Sequence, residues 1–320
     1  MEYIEKELKG KDNKSELMDF SMIEKMAKFP RFLLKVMLKK NINKIRESMG
    51  GDSRDITTQP IITKDKNIPG YESHVRIQIY APEISQIRPL LVFFHGGGWI
   101  GGSLPAVENY CKGVCDRANC VVISVDYHLA PENPFPEGLE DSYAAIKWAV
   151  ANKEDLKIDP NQISVGGDSA GGNFAAVLSL MAKDRKEFSI AKQILIYPVT
   201  NLVDIMVSDD VSDFPFPPGM IKVMEVMNSL YFKGKVDKRN SYLSPAFAKD
   251  LSNLPPALIA VGDQDFLYKS SLKYAEKLDE AGNKVKFILY KNANHAFIDD
   301  TGNSDQADDL VKEAAEFIQN

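Results

Sequence analysis

Gly166-Gly167-Asp168-Ser169-Ala170-Gly171-Gly172 is the stretch that decides the fold. The apolar run Gln162-Ile163-Ser164-Val165 leads into it and reads as a short buried strand. Asn173-Phe174-Ala175-Ala176-Val177-Leu178-Ser179-Leu180-Met181 leads out of it, and its alanines and leucines favour a helix. Gly167-x-Ser169-x-Gly171 therefore sits on a strand-to-helix turn, the context a nucleophile elbow requires. Such a turn forces the serine into a strained backbone conformation with its hydroxyl outward. Larger neighbours would collide there, so small residues flank it. The helix that follows offers free N–H groups and its positive dipole end to an anion forming beside Ser169. The same five-residue pattern also occurs as a plain glycine-rich turn, so the rest of the chain has to decide.

Outward from the elbow, strand-like runs alternate with helical patterns. Val75, Ile77 and Ile79 alternate with polar residues, the period of a half-buried strand. Residues 89–94 are continuously apolar, as in a central parallel strand, and end abruptly at His95-Gly96-Gly97-Gly98-Trp99. Further apolar runs lie at 120–125, 193–197, 257–261 and 285–290. Helical patterns lie near 105–118, 138–152, 170–183, 269–282 and 304–319. The alternation predicts an α/β fold, a mostly parallel central sheet with helices on both faces.

Two stretches stand outside that rhythm. Residues 1–50 read as helical and lysine-rich, with Met22, Ile23, Met26, Phe29, Phe32, Leu33, Val36 and Met37 near helical spacing. Pro30 interrupts that apolar face, which favours a helix packed on the body over one lying on a membrane. Residues 51–70 are polar and turn-rich and read as a connection. Residues 201–245 show no clear strand and carry Phe214-Pro215-Phe216-Pro217-Pro218-Gly219. Met220, Met224 and Met227 follow at helical spacing, an adaptable apolar surface suited to packing on the core or to lining an acyl pocket. The expected organisation is a helical cap from 1–50 and 201–245 on a core from 51–200 and 246–320.

Composition narrows the classes. The chain has 320 residues, 44% hydrophobic and 26% charged, as in an ordinary globular protein. A net charge of −6 and a pI near 5.4 leave no electrostatic footprint for nucleic acid. No apolar run approaches the roughly 18 residues a membrane span needs. The first residues lack the layout of a signal peptide, so a cytoplasmic location is the expectation. Cys111, Cys115 and Cys120 are an odd, closely spaced set with no histidine or cysteine pair to complete a zinc site. They read as core residues.

A serine nucleophile needs a base and a group to orient that base. Four histidines are available. His74 lies in an upstream strand, His95 heads the glycine run, and His128 precedes a proline-rich turn. His295 follows the last apolar strand, and residues just past strand C-termini share one sheet edge with Ser169, which makes His295 the candidate base. The orienting carboxylate should follow a strand between them, and Gly262-Asp263-Gln264-Asp265 offers Asp263 and Asp265, which spacing does not separate. Gly96, Gly97 and Gly98 expose backbone N–H groups after a strand. With the Ala170 N–H they are candidates for an oxyanion hole. Trp99 adjoins them as a candidate substrate contact.

Together these residues resemble the hormone-sensitive-lipase-like branch of the α/β-hydrolases, the carboxylesterases related to bacterial acetyl esterases. The resemblance runs from about Val75 to the C-terminus. It rests on His95-Gly96-Gly97-Gly98-Trp99, on Asp126-Tyr127-His128-Leu129-Ala130-Pro131-Glu132-Asn133-Pro134-Phe135-Pro136, on Gly167-Asp168-Ser169-Ala170-Gly171-Gly172 and on His295-Ala296-Phe297. It implies the order Ser169, Asp, His295, and it places the acid at Asp265. It further implies an acyl-enzyme route on short- to medium-chain esters with no cofactor or metal. The same scaffold also serves amide or lactone hydrolysis and non-catalytic small-molecule receptors. Pairing of relatives through edge strands leaves a homodimer open. Besides Tyr268-Lys269-Ser270 in place of the usual Arg-Asp-Glu, two departures stand out. His128 occupies the usual arginine position, where a bidentate tie between loops would be lost, and Phe266 replaces a proline.

Overall fold

The computed structural model describes residues 1–11, 25–83, 86–203, 219–232 and 234–320. The described strands are β1 (Glu2–Lys6), β2 (Ile61–Pro69), β3 (His74–Pro82), β4 (Arg88–Phe94), β5 (Val121–Asp126), β6 (Ile158–Asp168), β7 (Lys192–Ile196), β8 (Ala257–Gly262) and β9 (Val285–Tyr290). They form one sheet in the order β1-β9-β8-β7-β6-β4-β5-β3-β2. Only the β2–β3 and β3–β5 pairs are antiparallel. The helices used below are α1 (Arg31–Lys40), α2 (Ile42–Glu47), α3 (Leu104–Ala118), α4 (Glu137–Ala151), α5 (Ala170–Arg185), α6 (Met220–Tyr231), α7 (Tyr268–Glu280) and α8 (Asp305–Gln319).

The central strands are buried along nearly their whole length, and this is why β4, β5 and β8 read as unbroken apolar runs. Helix α5 is buried from Ala170 to Ala182, which accounts for its all-round apolar character. Cys111, Cys115 and Cys120 are buried free thiols, and burial pushes the Cys115 thiol up to about 12. A group so disfavoured as a thiolate packs as a small hydrophobe.

The edges correct the sequence reading. The helical reading of 1–50 fails at Glu2–Lys6, which is β1, paired parallel to β9. Its Glu- and Lys-rich composition suits a helix, but an edge strand facing solvent needs no apolar alternation. The connection expected at 51–70 contains β2, paired along its whole length with β3. From Ile62 to Asn67 every β2 residue is exposed, so no buried face marks the strand in the sequence.

The segments expected to form a cap also differ in detail. Helix α1 buries Leu34 and Leu38, whereas Phe32, Val36, Leu33 and Phe29 of the expected apolar face are exposed. It packs on α6, and Lys35 Nζ donates to the Ser229 carbonyl at 2.8 Å. In α6 the buried positions are Val223, Val226, Leu230 and Tyr231 rather than the methionines; Met224 and Met227 are half-buried. Met22, Ile23, the stretch 214–218 and the side chain of Met220 lie outside the described residues. No described helix is long and apolar enough to cross a membrane.

Candidate active site

Sheet register builds the site. Phe94 of β4 pairs with Gly167 of β6, and Asp168 pairs with Ile196 of β7. The loop from His95 and the elbow at Ser169 therefore leave neighbouring strand ends together. Two strands further on, Gly262 of β8 pairs with Tyr290 of β9, so the segments carrying Asp265 and His295 emerge side by side. All four segments meet at the carboxyl edge of the parallel strands.

Ser169 has φ 51 and ψ −111, the strained conformation the elbow demands. Its N–H donates to the Ile196 carbonyl at 2.9 Å, which locks the turn to β7. The flanking glycines are required by space. A Cβ on Gly171 would lie 1.8 Å from the Phe94 carbonyl oxygen, and one on Gly167 would lie 2.4 Å from the backbone of Gly171.

His295 Nε2 lies 3.0 Å from Ser169 Oγ, and His295 Nδ1 lies 2.8 Å from Asp265 Oδ2. Asp265 is fully buried, and its Oδ1 accepts the Leu267 N–H at 2.8 Å. Burial draws the His295 pKa down, but the charge and hydrogen bond of Asp265 outweigh it. The net effect is a pKa above the ordinary histidine value. The rings of Phe266 and Tyr197 approach the imidazole at 4.7 and 4.8 Å between centroids, so the departure at 266 packs on the histidine. Asp263 is spent elsewhere. Its Oδ1 accepts the Asn292 N–H at 2.7 Å and its Oδ2 pairs with Lys291 at 3.2 Å.

The oxyanion candidates separate. Gly96 is removed from the set, because its N–H donates to Asp168 Oδ1 at 2.8 Å. Gly97 and Gly98 sit at φ 114 and 62, and among the described residues their N–H groups donate no hydrogen bond. The Gly97 carbonyl accepts from Ile100 and Gly101, which curls the loop tightly. Ala170 opens α5, and a first-turn N–H has no acceptor within its own helix. Trp99, expected against substrate, is 1% exposed and stacks on Tyr231 of α6 at 4.5 Å with 5° between planes. It joins the glycine loop to α6.

Other histidines take structural places. His95 is buried and stacked on Tyr127, and burial draws its pKa down. His74 is exposed at the start of β3. His128, expected to lose the arginine tie, makes one of its own. Nδ1 meets Asp141 on α4 at 2.7 Å and Nε2 meets Ser73 at 3.0 Å. An imidazole spans the gap because it has one nitrogen for each side.

Sequence reasoning missed Arg46 of α2. Its Nε donates to the Ile100 carbonyl at 2.8 Å, and Nη2 donates to the Ala130 carbonyl at 3.0 Å and to Glu132 at 2.7 Å. Nothing in a basic helix marks one cation among many. Asp299 was also missed. Loss of water and the nearby Asp168 charge raise its pKa to about 8, with His295 pulling against them. Among the described residues no cluster of His, Cys, Asp and Glu could hold a metal ion.

Comparison with known proteins identifies the family. The profile of the alpha/beta hydrolase fold matches residues 91–299. The chain is 36% identical to the carboxylic ester hydrolase LipN of Mycobacterium tuberculosis over 73% of its own length and 64% of that protein's, less than two thirds of that relative. It is 32% identical to carboxylesterase NlhH of the same organism, over 77% of this chain and 80% of that one. The crystal structure of an esterase from Pyrobaculum calidifontis superposes with a TM-score of 0.75 at 32% identity, covering 92% of this chain and 94% of that one. The chain belongs to the α/β-hydrolases, on their hormone-sensitive-lipase-like branch.

Proposed function

We propose that this protein is a serine carboxylesterase acting on short- to medium-chain acyl esters. The observation that carries the reading is the unbroken chain Asp265–His295–Ser169, at 2.8 and 3.0 Å. A carboxylate accepts, so Asp265 fixes the proton on Nδ1 and leaves the Nε2 lone pair facing the serine hydroxyl. Ser169 attacks the ester carbonyl as His295 takes its proton. The N–H groups of Gly97, Gly98 and Ala170 receive the oxyanion. His295⁺ protonates the departing alcohol, and Asp265 stabilises that charged form. Water, activated by the same imidazole, then releases the acid and restores Ser169.

The names of the relatives support ester hydrolysis as the reaction class. Helices α1, α2 and α6 serve as the cap over this edge, with Arg46 and Trp99 as their links to the glycine loop. The test is turnover of p-nitrophenyl acetate and butyrate by the purified protein. Ser169→Ala should abolish turnover and labelling at position 169 by a fluorophosphonate. Full turnover by a contaminant-free Ser169→Ala protein overturns the reading.

A further inference from the structure

A second histidine is held between a serine and a buried carboxylate. His128 Nδ1 lies 2.7 Å from Asp141 Oδ2, and His128 Nε2 lies 3.0 Å from Ser73 Oγ. Asp141 is 1% exposed and also receives the Tyr71 N–H at 2.9 Å and the His128 backbone N–H at 3.1 Å. A carboxylate so surrounded by donors accepts from Nδ1. The proton therefore resides on Nδ1, and the Nε2 lone pair is directed at the Ser73 hydroxyl. The 70–73 loop between β2 and β3 is fixed over Asp141. Gly70 N–H closes it on the Ser73 carbonyl at 2.8 Å, and a Cβ on Gly70 would lie 2.7 Å from Asp141 Oδ1. Ser73 is exposed and the His128 side chain is 31% exposed, so an electrophile can reach both.

We propose that Ser73 is a second activated nucleophile, a surface modification site for activated phosphonyl and acyl groups, with His128 as its base and Asp141 as the group that orients the base. With a fluorophosphonate, Ser73 Oγ attacks phosphorus and the O–P bond forms. The P–F bond breaks, fluoride leaves with the electron pair, and the hydroxyl proton passes to His128 Nε2. With an aryl ester, the acyl carbon transfers to Oγ, and His128 returns the proton to the departing aryl oxide. Ser73 precedes a strand rather than a helix. It therefore lacks the N–H groups of a helix start that Ser169 has, and the product is a lasting one-to-one adduct rather than multiple turnover.

The experiment uses the Ser169→Ala chain, which lacks the elbow hydroxyl, and a biotinylated fluorophosphonate, with adducts mapped by peptide mass spectrometry. An adduct at Ser73 is expected. Its rate should fall by about 100-fold when His128→Arg or His128→Gln is added, the usual scale for losing a general base. The guanidinium introduced by His128→Arg would keep a forked pairing with Asp141 and so hold the loops together; thermal melting of each variant identifies the folded ones. Absence of a Ser73 adduct in the folded Ser169→Ala chain overturns the proposal. So does an adduct that forms equally fast without the imidazole.

Discussion

Asp168 Oδ1 holds the Gly96 N–H at 2.8 Å, across the ends of two neighbouring strands. The bond sets the direction in which the glycine loop leaves β4, one residue before Gly97 and Gly98, whose N–H groups donate no bond among the described residues. Asp168 is 5% exposed, and burial raises its pKa to about 6 against the opposing pull of the Gly96 N–H. Asp168→Ala should lower kcat by about 10- to 100-fold with little change in KM, less than the loss of a whole oxyanion donor. Steady-state kinetics with p-nitrophenyl butyrate read this out; a raised KM at unchanged kcat would assign Asp168 to substrate binding instead.

Asp263 and Asp265 stand two residues apart and do different work. Asp265→Asn should cost roughly 10⁴-fold in kcat, the scale seen when the base loses its tautomer. Asp263→Asn should stay within a few-fold of the parent, because its partners are Asn292 and Lys291 rather than His295. The pH profile adds a second readout. As the proposed base His295 must be neutral to act; burial draws its pKa down, but Asp265 outweighs this and holds it above the ordinary value. The acid limb of kcat/KM should therefore lie above the usual histidine value of about 6.5, and it should move to lower pH in the residual activity of Asp265→Asn.

The elbow, the glycine loop and the place of His295 beside Ser169 were legible from simple rules. A serine at a strained turn needs glycines around it, and parallel strands bring their C-terminal residues to one edge. Spacing could not separate Asp263 from Asp265, because both follow β8; only the direction of each side chain does. Edge strands β1 and β2 were illegible for another reason. An edge strand whose residues stay exposed or half-buried carries no periodic apolar signal, so Glu2–Lys6 looks helical and Lys64-Asp65-Lys66 looks like a loop. Trp99 was read as a pocket residue because aromatics next to a site suggest ligand, yet its ring is committed to Tyr231.

Asp299 gives a pH signature in stability. Its folded pKa is raised to about 8, first by burial and then by the Asp168 charge. A raised carboxyl pKa means the folded state retains a proton that the unfolded chain has released. Stability therefore falls as pH rises from the unfolded value of about 4 towards 8. Asp299→Asn removes that penalty. Its Tm should exceed the parent's at pH 8, and the gain should shrink as pH falls towards 4. A gain independent of pH in differential scanning calorimetry would reject the ionisation as its cause.

Two glycine-to-alanine changes should part sharply. In Gly171→Ala the new methyl would lie 1.8 Å from the Phe94 carbonyl oxygen, backbone that cannot move without opening the β4–β6 pair. That variant should fail to yield a cooperatively melting protein. In Gly98→Ala the methyl meets nothing within 4 Å, and only the left-handed φ of 62 opposes it. An alanine there costs about 1–2 kcal/mol, so the protein should fold with a modestly lower Tm. Circular dichroism melts of the two variants side by side decide the matter.

Removal of residues 1–10 tests the edge strand. Lys6 Nζ is held by Asp309 at 2.6 Å and Glu313 at 2.5 Å, and the Tyr3 ring stacks on Phe287 at 5.4 Å. Without β1, Glu313 keeps Lys286 at 2.6 Å and Asp309 keeps the Tyr290 hydroxyl at 2.8 Å, but the outer edge of β9 loses its row of backbone partners. Exposed N–H and C=O groups along a strand template pairing with another chain. The truncated protein should melt roughly 5–10 °C lower and should self-associate in light scattering after size exclusion. Its kcat should fall several-fold rather than vanish, because β1 pairs directly with β9, the strand that leads into His295, while the elbow lies four strands inward. Loss of activity with an unchanged Tm and mass would mean that the N-terminal strand supports the catalytic edge rather than capping the sheet.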